Sequence, residues 1–335
     1  MGRFFRLYLP LVLLLILASG YSVYWYAIAE RVQNGLDDWA TAQRAKGYEV
    51  RWTAATVGGF PFSLQVRATG FILAQPGSPP RLRVAAPLLV ARALPWQLRR
   101  WNVEADQTVG LTIPTGNANA ASLRATITLS DQETDIDAAF QDISGTLGGA
   151  FQVRQAEASL RLPPRPPADH KETAGTLDMR LLDWKVPQAV PPLGDTIASL
   201  SFSATLKGTV PASGGLTAWR DDGGTLEVGG FALQWGALSA SGKGTLALDE
   251  EMRPLGALTT SLEGQDAIVD ALVTNGNIRP GDGSLLKIAL GLMAKQDADG
   301  KRKISVPARM QGGKLYLGPV GIANLPNLRD VSLPN

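Results

Sequence analysis

The sequence predicts a mainly β protein, with a long curved antiparallel sheet that is groove-like or a sandwich. The sequence also predicts an N-terminal transmembrane helix, a stalk helix and a few short helices. Three observations favour this fold class. The chain opens with a long uncharged apolar stretch, apolar and polar residues alternate in many later segments, and 36 glycines and 22 prolines break those segments apart.

The N-terminal stretch has the composition of a membrane span. Arg3 and Arg6 precede it, and no charged residue occurs from Leu7 to Ala29. An uncharged run of this length is enough to cross a bilayer. The positive-inside rule keeps the two arginines in the cytoplasm and exports the rest of the chain.

A cleavable signal peptide is the alternative, with Ala18 and Gly20 as the small residues of a cleavage site. The anchor is favoured because the uncharged run continues past Gly20 and a helical pattern follows it directly. Ile28, Val32, Leu36 and Trp39 recur at helical spacing, and Gly47 is a suitable C-terminal cap. Residues 1–47 are therefore predicted as anchor and stalk.

Period-2 alternation dominates from Tyr48 onward. It is clear in "SLRATITLS" (122–130), in "SLSFSATLKGTV" (199–210) and in "KISVPARM" (303–310), each with one apolar face. A proline-rich loop at 163–173 divides the β region into 48–162 and 174–335. The second part contains two short helices, one in "GQDAIVDALVTNG" and one opening at Ser284, and we expect the second helix to be buried.

The composition argues against several classes of activity. The formal net charge is +2 with no basic block, so nucleic acid is not an expected partner. With no cysteine the chain lacks a thiol nucleophile. Its single histidine, His170, lies in the proline-rich loop beside Asp169 and Lys171, so neither a histidine-based triad nor a two-histidine metal site is expected. We expect a non-enzymatic protein without cofactor.

Several stretches resemble a known family. They are the anchor with its stalk, then "GFPF" (59–62), "LQWGALSASGKGTLALDEEMRPLGALTTSLEG" (233–264) and "GGKLYLGPVGIANLP" (312–326). Together they resemble the bacterial domain-of-unknown-function 2125 family. The second stretch is also similar to the C-terminal repeats of AsmA-like envelope proteins. These resemblances imply a bacterial inner-membrane protein that faces the periplasm, with a sheet whose inner face is apolar and carries phospholipid.

Under this interpretation, Gly58, Gly59 and Pro61 turn the chain from the stalk into the sheet. Phe60 and Phe62 close the membrane-proximal end of the sheet or fill its core. Ten apolar residues are predicted to line a lipid groove: Leu64, Val66, Leu123, Ile127, Phe202, Leu206, Leu233, Trp235, Leu246 and Leu248. The expected partners are the membrane, phospholipid and other envelope proteins.

The same alternation is compatible with a different function. Inward apolar faces build a packed core as readily as an open groove. The alternative is therefore a closed β scaffold that recruits other envelope proteins through an edge strand.

Overall fold

The computed structural model describes residues 2–75, 81–209, 215–276, 278–293, 295–296, 302–318 and 320–328. Its helices are α1 (Gly2–Ala45), α2 (Gly215–Asp221), α3 (Gln265–Thr274) and α4 (Pro280–Met293). Its strands in the first half are β1 (Glu49–Arg51), β2 (Ala54–Gly58), β3 (Leu64–Gln75), β4 (Leu82–Leu94), β5 (Gln97–Ala105), β6 (Val109–Ile113), β7 (Gly116–Leu129), β8 (Thr134–Leu147) and β9 (Ala150–Leu162). Those in the second half are β10 (Thr173–Val190), β11 (Gly194–Lys207), β12 (Thr225–Trp235), β13 (Leu238–Leu248), β14 (Pro254–Glu263), β15 (Lys295–Gln296), β16 (Arg302–Gln311), β17 (Lys314–Leu317) and β18 (Val320–Asn324).

Anchor and stalk form one continuous helix. At about 1.5 Å per residue, the 44 residues of α1 extend for roughly 66 Å. One face of its second half packs against the sheet, and this face follows a spacing of four through Ile28, Val32, Leu36 and Ala40. Ile28 and Ala40 are buried, whereas the predicted face residue Trp39 is 40% exposed.

The strands form an open antiparallel meander. β1 and β2 lie end to end along β3, and β5 and β6 lie end to end between β4 and β7. Each strand from β7 to β14 then pairs with the next one along the chain, and β14 is followed in the sheet by β16, β17 and β18. Within the described residues no pairing joins β18 to β1 or β2, so the sheet has two edges. The mainly β antiparallel fold is thus confirmed.

The proline-rich loop does not interrupt this sheet. β9 and β10, on either side of the loop, pair from Gln152–Lys185 to Arg161–Thr176. The loop is therefore a long hairpin connection at one end of two neighbouring strands.

Buried clusters lie at the two ends of the meander. At the first end, Trp25, Ile28 and Ala29 of α1 pack on Leu64 of β3. At the second end, Ala267 and Ala271 of α3 pack with Leu238, Ala240 and Leu262. A second cluster there joins Val228, Leu258 and Ala308.

The exposed surface agrees with an open sheet. The chain exposes 19837 Å² to solvent, whereas a compact protein of its mass, 35.6 kDa, is expected to expose about 13,000 Å². The excess arises because α1 projects as a rod and the middle strands keep much of both faces accessible.

The late helices differ from the prediction in one respect. The helix predicted in "GQDAIVDALVTNG" is present as α3, but α4 begins at Pro280, so Ser284 lies inside the helix and donates to the Pro280 carbonyl at 3.3 Å. The predicted burial of α4 holds for one side only: Leu286 and Leu290 are half-buried beside Ile268 and Leu317, whereas Leu285 is 68% and Ile288 62% exposed. Helix α2, which holds the buried Trp219, was not predicted.

Close contact between the backbones of two paired strands leaves no room for a side chain at Gly244. A Cβ at Gly244 would overlap the carbonyl oxygen of Ala257 on β14, whereas a Cβ at Gly230 on β12 would meet nothing within 4 Å. We expect Gly244→Ala to lower the free energy of unfolding by about 1–3 kcal/mol. Gly230→Ala should change it by about 1 kcal/mol or less. Thermal unfolding followed by circular dichroism on the full chain in detergent measures both, and equal unfolding temperatures for the two variants would contradict the close approach.

Candidate functional site: an apolar trough

Strand register aligns apolar side chains across the middle of the sheet. Residues directly opposite each other in antiparallel strands point to the same face. The pairs Val103–Ala125, Ala125–Ala138 and Ala138–Ala158 continue from strand to strand, and further pairs extend the line to β12. We call this line the central row, and it consists of Val103, Ala125, Ala138, Ala158, Met179, Phe202 and Phe231.

Larger apolar side chains flank the central row on the same face. They come from positions two residues before or after it, and most of them are half-buried. In β7 and β8, for example, these are Leu123, Ile127, Ile136 and Phe140. The apolar face therefore has mostly small residues along the first part of the row and larger ones on both sides.

A long depression follows the central row. Its volume is about 880 Å³, and it extends over β5 and the strands from β7 to β12. Each of these strands contributes three consecutive residues to the lining, the middle one from the central row and the other two from positions that point to the opposite face. The flanking residues Leu123, Ile127, Ile136 and Phe140 are not part of the lining, so the depression lies on the opposite, more polar face of the sheet. Seven strands spaced about 4.8 Å apart give the central row a length of roughly 29 Å, and we call the strip of the apolar face along this row the trough.

The ten residues predicted to line a groove all lie on the face of the central row, because the pairings connect them in register. Phe202 is the one that belongs to the central row, and Leu123 and Ile127 flank Ala125 of the same row. Leu206 lies further along β11. Their contact with lipid stays a prediction.

The other predicted residues lie toward the ends of the sheet. Leu64 is fully buried beneath α1 and Val66 is 7% exposed, so these two belong to the packed end. Leu233 and Trp235 pack against the cluster beneath α3, and Leu246 packs against the neighbouring one. Leu248 follows Leu246 on β13.

The sequence interpretation missed the small members of the central row. It selected large apolar residues, whereas the row also contains Ala125, Ala138 and Ala158. The signal was present in "SLRATITLS", where the alternation already places Ala125 on the apolar face. Met179 alternates in the same way with Leu177 and Leu181.

The opposite face of these strands is polar and paired. Cross-strand ion pairs join Arg92 with Glu104 and Arg161 with Asp178, the latter at 2.6 Å. The hydroxyl of Ser203 and the guanidinium of Arg161 hold the pKa of the Asp178 carboxyl below its ordinary value. This face therefore favours water, and the trough face does not.

The side chains of the trough offer apolar contact. His170 is exposed in the proline-rich loop. In the part of the chain that the structure describes, no three histidine, aspartate or glutamate side chains come together as metal ligands. What this arrangement can bind is an elongated apolar molecule.

These features define a class of protein: an open antiparallel sheet with one apolar face, preceded by a helix that is long and apolar enough to cross a membrane. The chain belongs to the family described as uncharacterized protein conserved in bacteria (DUF2125), whose model matches residues 25–326. No curated protein and no solved structure matches the chain. The similarity to AsmA-like envelope proteins stays a prediction.

The pairing of Asp178 generates a pH-dependent prediction. Since its folded-state pKa lies below its unfolded value of about 3.9, Asp178 stabilises the fold above that pH, and this contribution is lost as the pH falls through the folded-state pKa. We expect the unfolding temperature of Asp178→Asn to lie below that of the wild type at neutral pH. The difference should shrink as the pH is lowered below about 4. Thermal unfolding at a series of pH values checks this, and a difference independent of pH would contradict it.

Proposed function

We propose that this protein is anchored in a bacterial inner membrane by α1, and that its sheet lies in the periplasm and holds phospholipid acyl chains in the trough. It acts without catalysis, in maintenance of the cell envelope. The observation that carries the proposal is the central row, an apolar line that continues in register across seven neighbouring strands.

The charge pattern of α1 supports the topology. From Leu7 to Ala29 the helix is uncharged, and at about 1.5 Å per residue this stretch is roughly 34 Å long, which matches a hydrocarbon core of about 30 Å. Arg3 and Arg6 precede it and Glu30 follows it. By the positive-inside rule the sheet is then on the exported side.

The dimensions of the trough suit an acyl chain. Its length of roughly 29 Å is close to the hydrocarbon thickness of a whole bilayer, about 30 Å, and a lipid chain occupies half of that. Each methylene transferred from water contributes about 0.8 kcal/mol, so even a chain partly covered by the trough offsets a substantial cost of association. An acyl chain also covers the half-exposed apolar side chains of the trough, and their burial contributes further to the free energy of binding.

The alternative is a scaffold whose sheet is closed and dry inside. Such a sheet needs its edges to pair, and the described edge strands β2 and β18 each pair with one neighbour only, β3 and β17 respectively. A partner could still add a strand at β18, which is the outcome the scaffold predicts.

Neighbouring alanines on opposite faces of β8 provide a matched test of lipid binding. Ala138 belongs to the central row, and Ala139 points to the polar face, where it lines the depression. An aspartate in the trough would have to lose its hydration when an acyl chain binds, whereas one on the polar face remains in water. We expect wild type and Ala139→Asp to retain phospholipid through purification, and Ala138→Asp to lose most of it. Native mass spectrometry of the full chain, extracted in mild detergent, measures the ratio.

Lipid that surrounds α1 is common to all three proteins, so the comparison isolates the trough. Phe202→Asp is a weaker choice because Phe202 packs against Val228, Leu258 and Ala308 and its loss perturbs a core. Equal lipid content in folded Ala138→Asp and Ala139→Asp would contradict the proposal and favour the scaffold.

The topology has its own prediction. A reporter that is active only after export, fused behind Asn335, should be active in cells, because Arg3 and Arg6 retain the N-terminus in the cytoplasm. The fused protein should stay with membranes after a high-salt wash. Activity of a cytoplasm-specific reporter at the same position would overturn the orientation, and release by the wash would favour a cleaved signal peptide.

A further inference from the structure

Hydrogen bonds join two turns at one end of the sheet to a short segment of α1. The first is the loop Gly59–Ser63 between β2 and β3, and the second is the turn Leu94–Gln97 between β4 and β5. Trp25 Nε1 donates to the Ser63 carbonyl at 3.1 Å, and the Tyr21 hydroxyl donates to the Pro61 carbonyl. The Tyr24 hydroxyl donates to the Pro95 carbonyl at 3.0 Å.

Aromatic contacts strengthen the first of these connections. The Phe60 ring stacks on Tyr26, with ring centroids 5.7 Å apart, and meets Trp25 edge-on at 5.4 Å. Both turns are thus held at the level of residues 21–26 on the helix.

Large apolar side chains project from these turns into solvent. Phe62 is 76% exposed, Trp96 64%, Tyr26 62% and Leu94 40%. Phe62 therefore does not fill the core of the sheet. A concentration of exposed aromatic groups at one level marks an interaction surface rather than a random feature of a soluble face.

The position along α1 identifies the partner. If the uncharged stretch begins at Leu7 and a hydrocarbon core of about 30 Å takes roughly 20 residues, its outer boundary falls near residue 26. Tyrosine and tryptophan are enriched at this boundary. Because the hydrogen bonds place the two turns beside Tyr21–Tyr26, Phe62 and Trp96 lie at the same depth.

We propose that Phe62 and Trp96 insert into the interface of the membrane that holds α1 and dock the sheet on the bilayer surface. This rests on the anchor assigned under the proposed function, and adds a second membrane contact to it. The end of the apolar face at β3, β4 and β5 then meets the bilayer directly, where acyl chains are available.

The absence of cysteine from the sequence allows a clean test. Full-length Phe62→Cys and Trp96→Cys, each labelled with the fluorophore NBD, are reconstituted into phosphatidylcholine–phosphatidylglycerol vesicles that contain spin-labelled lipid. Leu147→Cys serves as a control, because Leu147 is 56% exposed and lies at the opposite end of the strands. Leu14→Cys, within α1, reports insertion of the anchor itself.

We expect the spin-labelled lipid to quench NBD at positions 14, 62 and 96 several-fold more strongly than at 147. Since NBD is itself apolar, a second measurement places it at Leu98→Cys and compares the otherwise unchanged chain with a Phe62→Ser, Trp96→Ser double variant. Quenching at position 98 should fall in the double variant.

The outcomes separate docking from anchoring. Strong quenching at 14 with weak quenching at 62 and 96 overturns docking and leaves the anchor intact. Weak quenching at all three positions, 14, 62 and 96, overturns both the anchor and the docking. Weak quenching at 14 together with strong quenching at 62 and 96 supports docking and contradicts the anchor. Quenching at 62 and 96 that changes with protein density, and not with lipid quencher, indicates a second copy as the partner and overturns docking.

Discussion

The structure depends on one constraint: apolar side chains stay on one face of the sheet through every change of strand. A slip of one residue would move a whole strand's apolar set to the other face. The register shift between β11 and β12 shows how the constraint is kept. Val228 and Phe231 are three residues apart, yet they pair with Ala204 and Phe202, and Gly229 and Gly230 occupy the irregularity between them. Gly229 is the extra residue on β12, because the pairing passes from Val228 to Gly230. With this extra residue, Val228 and Phe231 both remain on the apolar face.

A single sheet with one apolar face requires a different solution at its ends and in its middle. At the ends, helices cover the apolar face: α1 lies on Leu64 and α3 lies on Leu238 and Leu262. In the middle, the flanking residues are half-buried by one another. The polar face holds cross-strand pairs such as Arg161–Asp178, which hold neighbouring strands in register while remaining in contact with water. The ends are therefore cores, and the middle is an accessible surface.

Local patterns predicted much of this fold. Alternation in "SLSFSATLKGTV" predicted the faces of residues 200–207 in β11, and the uncharged run predicted the apolar part of α1, because the sequence shows both patterns directly. Two errors came from tertiary contacts. Trp39 fits the helical period, but the sheet contacts Ala40 instead, and α4 is exposed on a side that its apolar composition assigned to the core. The apolar face was predicted, but the row of small residues on it was not. Which residues lie side by side depends on how neighbouring strands align, and a single strand's sequence does not show this.

The central row explains why the trough exists at all. Leucine or isoleucine at Ala125, Ala138 and Ala158 would bury more apolar area and strengthen contact between strands, yet it would also fill the space above the row. Alanine contributes little to burial and leaves that space open. A chain that needed only stability would gain from larger residues at these positions. The three alanines sacrifice packing in a part of the sheet that none of the described helices covers, and this agrees with the proposal that the apolar face receives an apolar ligand.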